Sequence, residues 1–117
     1  MKNVIEEKSF AFAVRIVNLY KYLTSEQKEF VMSKQLLRSG TSIGANVSEA
    51  QRAQSKADFV SKINISLKEA NETDYWLRLI FETEYIDRNQ YESLIADLDE
   101  LIRILVSICN TTKSKMS

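Results

Sequence analysis

The sequence predicts an all-α protein, an antiparallel up-down-up-down four-helix bundle, on three observations. First, its 117 residues contain no proline and only two glycines, Gly40 and Gly44; proline breaks helix interiors and glycine weakens them, so their scarcity favours long helices. Second, apolar residues recur at spacings of three and four through four successive segments, with no period-two strand pattern. Third, pairs with capping-box spacing, Thr24/Gln27, Ser55/Asp58 and Asp87/Gln90, fall between those segments. Helices joined by turns of about two to five residues pack most simply as antiparallel neighbours. The length is that of one domain, residues 1–117.

The first helix is expected over about 4–23, with Ile5, Phe12, Ile16, Leu19 and Leu23 on one stripe. Thr24 and Gln27 predict a second helix starting near Ser25 and running to about Ala53, with Leu36, Gly40, Ile43 and Val47 inward. Ser55 as N-cap starts a third helix, about 56–84, with Phe59, Ile63, Ala70, Leu77 and Phe81 as its stripe. Asp87 and Gln90 open the fourth, about 88–111, where Tyr91, Leu94, Leu98, Leu101, Leu105 and Ile108 make the seam of a bundle.

Composition narrows the function. Sixteen basic and sixteen acidic residues leave no net charge, hence no global attraction to nucleic acid or membrane. The distribution is uneven: residues 1–53 carry eight basic and five acidic side chains (+3), residues 54–117 eight and eleven (−3). A lone Cys109 cannot form an intrachain disulfide, no secretion signal is visible, and no apolar run approaches the roughly 20 residues of a membrane span. These features point to a bacterial-type cytoplasmic protein.

The chain has more apolar surface than one core needs. Phe10, Val14 and Val17 lie off the first helix's stripe, and Ile65, Trp76 and Leu79 lie off the third's, with Tyr75 nearby. Such residues mark a protein interface, and Trp76 is the expected anchor. The middle of helix two is small around most of its circumference: Ser39, Gly40, Thr41, Ser42, Gly44, Ala45 and Ser48. It admits a close helix crossing, either with another subunit or inside the bundle. An antiparallel hairpin of helices two and three, turning at residues 53–54, brings Arg38 level with Glu69 and one turn from Glu72. It also puts Asn46 near Ser61 and Lys62, and Glu49 near Lys62. Cross-helix pairs Arg38–Glu69/Glu72 and Glu49–Lys62 are therefore expected.

Residues 36–80 closely resemble the bacterial four helix bundle proteins, whose wider group is called 23S rRNA intervening-sequence protein. The resemblance is carried by Arg38-Ser39-Gly40-Thr41-Ser42-Ile43-Gly44-Ala45-Asn46, Glu49-Ala50-Gln51 and Gln54-Ser55-Lys56-Ala57-Asp58-Phe59. It continues through Leu67-Lys68-Glu69, Glu72 and Tyr75-Trp76-Leu77. Ala50 stands where the wider group commonly has glycine, which places the chain in a Glu-Ala-Gln branch. The resemblance implies an antiparallel four-helix bundle, a ring-shaped homopentamer and no established catalytic activity. Distant relatives serve as accessory proteins of diversity-generating retroelements and bind nucleic acid and a reverse transcriptase.

Catalysis and cofactors are not expected. Metal-binding bundles use Glu-x-x-His pairs, and this chain has no histidine. Cys109 lacks the usual base and lies on an apolar seam. Gly40 and Gly44, spaced Gly-x-x-x-Gly within a helix, form no phosphate loop. The leading expectation is a self-associating scaffold or adaptor using Arg38, Gly40, Ser42, Gly44, Ala45, Asn46, Glu49, Lys68, Glu69, Glu72, Trp76 and Leu79. The alternative is an oligomer that contacts RNA or DNA phosphates through Lys21, Lys28, Lys34, Arg38, Arg52 and Lys56.

Overall fold

Asn3 starts the first helix: its side-chain oxygen accepts the Glu6 N–H at 2.8 Å and so satisfies a donor with no partner inside the helix. The computed structural model describes residues 3–116 and contains four helices: α1 Val4–Ser25, α2 Met32–Ala50, α3 Lys56–Glu82 and α4 Arg88–Met116. Each packs antiparallel on the next, and α1 closes loosely on α4. This is the all-α four-helix bundle, 48 × 25 × 20 Å. Across the α1–α4 seam, Arg15 reaches Asp97 at 2.6 Å and Lys8 reaches Glu100 at 3.1 Å. These pairs are exposed enough to add little stability.

The expected stripes of α1 and α2 are all buried: Ile5, Phe12, Ile16, Leu19 and Leu23 from α1, with Leu36, Gly40, Ile43 and Val47 from α2. On α4, Leu94, Leu98, Leu101, Leu105 and Cys109 are buried, while Tyr91 and Ile108 are only half-buried. The stripe of α3 departs from expectation. Val60, Ile63, Ser66, Ala70, Thr73, Leu77 and Ile80 face inward, while Phe59 and Phe81 are only partly covered. Phe59 and Phe81 lie in the end turns of α3, and two close polar crossings on α2 bring Ser66 and Thr73 inside. The Ser66 hydroxyl donates to the Ile43 carbonyl at 2.8 Å. The Thr73 hydroxyl lies 2.7 Å from the Glu69 carbonyl and 3.0 Å from the Ser39 hydroxyl. Small side chains that bond a neighbouring backbone let two helices approach closely.

Two of the three expected helix starts stand. The Ser55 side chain accepts the Asp58 N–H at 3.0 Å. Asp87 and Gln90 exchange reciprocal backbone–side-chain bonds of 2.7 and 2.9 Å, a complete capping box. The start expected at Ser25 is corrected. Thr24 and Ser25 turn their hydroxyls back onto the carbonyls of Tyr20 and Lys21 and so finish α1. Gln27 donates to the Tyr22 hydroxyl instead of capping. The chain then reverses through Lys28, whose φ is +57°, and α2 begins at Met32.

The group that starts α2 is Glu29. Its carboxylate, buried at the foot of the helix, accepts the N–H groups of Val31, Met32 and Ser33 at 2.7–3.0 Å. The Ser33 hydroxyl returns a bond to the Glu29 carbonyl at 2.7 Å. Burial alone pushes the Glu29 carboxyl pKa up, but the three N–H donors outweigh it and hold it below the usual 4.5. At the far ends, α2 stops at Ala50 rather than near residue 53, and α4 runs beyond residue 111 to Met116.

Candidate interaction surface on the outer helix faces

The small segment of α2 serves two masters. Gly40 is buried against α1: a Cβ there would lie 2.8 Å from Ile16 Cγ1, so only glycine permits this approach. Gly44 faces the Ser9 backbone at 3.2 Å from where its Cβ would be. Gly40, Gly44 and Ser39 are thus accounted for by crossings within the subunit. Thr41, Ala45 and Ser48 point outward, and with Glu6, Glu7, Phe10, Ala13 and Gly44 they line an open cleft of about 510 Å³ between α1 and α2.

Phe10 stands on the wall of that cleft, 71% exposed, and Val14 one turn on is 46% exposed. Phe10, Ala13, Val14 and Val17 recur at helical spacing opposite the buried stripe of α1, so this helix carries two apolar faces.

On the other side of α2, Arg38 bridges to α3. It bonds Glu69 at 3.2 Å, pairs closely with Glu72, and holds the Gln35 side chain. Glu49 meets Lys62 at 3.5 Å. Both expected cross-helix pairs are therefore formed. Asn46 turns back to the Ser42 carbonyl, and Ser42 to that of Arg38. Trp76 is half-buried: its indole N–H donates to Glu72 at 3.0 Å, and its ring meets Tyr75 edge-on at 5.1 Å. The Trp76 bond chiefly, opposed by burial and helped by Arg38 and Lys68, holds the Glu72 carboxyl below its ordinary pKa. Ile65 and Tyr75 are exposed, Leu79 is half-buried, and Lys68 is exposed.

Five of the six basic residues divide between the two ends. Lys21, Lys28 and Lys34 lie near the α1–α2 loop, and Arg52 and Lys56 near the α2–α3 turn. Most of the 19 residues of α2 lie between them, roughly 25 Å of helix and about three Debye lengths of about 8 Å. Arg38, between the groups, is engaged by Glu69 and Glu72. The pattern reading misses one exposed feature, the pair Phe30 (60%) and Val31 (75%) at the tip of the α1–α2 loop. The expectation of a helix there conceals it.

Among the described residues no group of three or more histidine, cysteine, aspartate or glutamate side chains is arranged to hold a metal ion. None of their helices is long and apolar enough to cross a membrane. By fold and surface the molecule is an antiparallel four-helix bundle with unpartnered apolar side chains on its outer faces. Residues 1–107 match the model of the 23S rRNA-intervening sequence protein family, and the chain belongs to that family. It is also similar to a Bacteroides thetaiotaomicron protein of the S23 ribosomal protein family, of unknown function, known from a crystal structure. The two chains are 66% identical, with a TM-score of 0.90, over 91% of this chain and 98% of that one. No curated protein matches the chain.

Proposed function

We propose that this protein is a non-catalytic scaffold or adaptor of the cytoplasm that works by binding copies of itself; the family resemblance implies a pentamer. The observation that carries this reading is Phe10, a large aromatic side chain 71% exposed beside a cleft floored by Gly44, Ala45 and Ser48. Burying an exposed aromatic against such a floor removes apolar surface from water and allows helices to approach closely. Phe10→Asp and Ala45→Arg are each expected to shift the assembly towards monomer by at least tenfold in dissociation constant. Both side chains point to solvent, so helix content by circular dichroism should be unchanged. Retention of the wild-type mass by both variants would exclude this face.

A nucleic-acid role is the second reading, and one feature favours it: Lys21, Lys28 and Lys34 gather at the loop end where Phe30 is exposed. A base could stack on Phe30 while the lysines meet phosphates. With about three phosphate contacts, binding to single-stranded RNA would weaken with a log–log salt slope near −2. Absence of binding to RNA and DNA in 50 mM salt would remove this reading.

A further inference from the structure

Asp97 and Glu100 of α4 turn towards α1, where Arg15 and Lys8 hold them. Asp99 and Arg103 do not. Both are exposed on the outer face of the helix, and among the described residues neither forms an ion pair within the subunit. Six exposed residues follow one another along this face at alternating spacings of four and three: Glu92, Ala96, Asp99, Arg103, Val106 and Asn110. That is the spacing of a seam between two helices. Here it lies away from the buried Leu94, Leu98, Leu101 and Leu105, on a side that no helix of the subunit covers.

The strip is its own complement. Reversed about residue 101, it sets Asp99 opposite Arg103, the small Ala96 opposite the larger Val106, and Glu92 opposite Asn110. Each pairing then occurs twice. Val106 is 39% exposed, and the half-buried Ile95 and Ile102 border the strip on its side. Glu92 is met within the subunit only by Arg88, at 3.8 Å, and both side chains are well exposed. A parallel alignment of two such strips sets Asp99 against Asp99 and Arg103 against Arg103, and like charges brought together at an interface cost energy.

We infer that α4 pairs antiparallel with α4 of a second copy of this chain, across a two-fold axis level with residue 101. Val106 of each copy packs on Ala96 of the other, and two Asp99–Arg103 ion pairs, one on each side of the axis, fix the register. The contact uses a different face from the Phe10 cleft and does not depend on it. A two-fold contact joins two copies and stops, so it doubles whatever the cleft builds. From Glu92 to Asn110 the strip is about 27 Å long, with Val106 as its one exposed large apolar side chain. The pair is therefore weak in isolation and forms at high protein concentration, or where another contact has already gathered the copies.

The test starts from Phe10→Asp, in which the cleft contact is removed. Sedimentation equilibrium is expected to show 13.5 kDa at low micromolar concentration and a shift towards twice that mass in the millimolar range. Adding Asp99→Arg or Arg103→Asp gathers four like charges at the contact and should raise the dissociation constant about tenfold or more. An equal mixture of those two double variants sets two cations of one copy against two anions of the other, and should dimerise at least as tightly as the parent. Both positions are exposed, and circular dichroism checks the fold. A dimer unchanged by Asp99→Arg, or a mixture no tighter than its separate components, overturns the α4 pairing. A parent that stays at 13.5 kDa throughout overturns it too. Neither result touches the cleft reading, which stands or falls on the mass of the wild type.

Discussion

Gly40→Val is expected to cost about 3 kcal/mol of folding stability, at the upper end of overpacking penalties. In a helix interior, replacing glycine normally helps, because the backbone loses less freedom on folding. Here the gain is outweighed. A Cβ at residue 40 would lie 2.8 and 2.9 Å from the two γ carbons of Ile16, closer than carbon atoms pack. Ile16 is fully buried within the core, so it has no solvent to swing into. The two γ carbons of valine add to the clash, and α1 and α2 must part. Urea denaturation followed by circular dichroism measures the loss. Gly40→Ala should fall between valine and wild type. A Gly40→Val variant as stable as the wild type would mean that α1 does not cross α2 at this closeness.

Glu29→Ala is expected to cost about 2–3 kcal/mol, because three N–H groups at the start of α2 lose an ionised acceptor in a buried setting. Glu29→Gln, which retains one acceptor oxygen, should lose less. The same cap imposes a pH dependence. The folded carboxyl is held below 4.5, so its contribution is fully present above the unfolded pKa, near that value, and disappears as pH falls through the folded pKa. Between pH 7 and pH 3 the wild type should therefore lose more stability than Glu29→Ala. Parallel pH profiles would show that the cap is not held by charge.

The same residue explains the largest gap between sequence and structure. A helix start signalled by Thr24 is undone because side-chain hydroxyls serve the end of one helix as readily as the start of the next. The chain chooses the first use since Glu29, buried and aimed at three backbone donors, offers the better start several residues on. The stripe of α3 is misread for a related reason. Ser66 and Thr73 count as polar in a pattern, yet both hydroxyls find partners within the α2–α3 crossing and go inside. The stripes of α1 and α2 are legible because leucine, isoleucine and phenylalanine hold a helical spacing with little polar interruption. The Arg38–Glu69/Glu72 and Glu49–Lys62 pairs are legible because a short turn between two helices fixes their register.

The candidate surface is half legible. That Phe10 and Val14 lie outside the core follows from spacing alone. For the small residues of α2, spacing cannot separate a crossing within the subunit from one between subunits, and the structure divides them: Gly40 inward, Ala45 outward. The separation of the basic residues into two end groups likewise depends on where α2 begins and ends.

The self-association proposed above would cover Phe10 and the α1–α2 cleft with another copy of the chain. Light scattering coupled to size-exclusion chromatography, run on the wild-type protein from one to one hundred micromolar, tests it most directly. The expected result is an integral multiple of 13.5 kDa that is lost in Phe10→Asp. A uniform 13.5 kDa species across that range would contradict it.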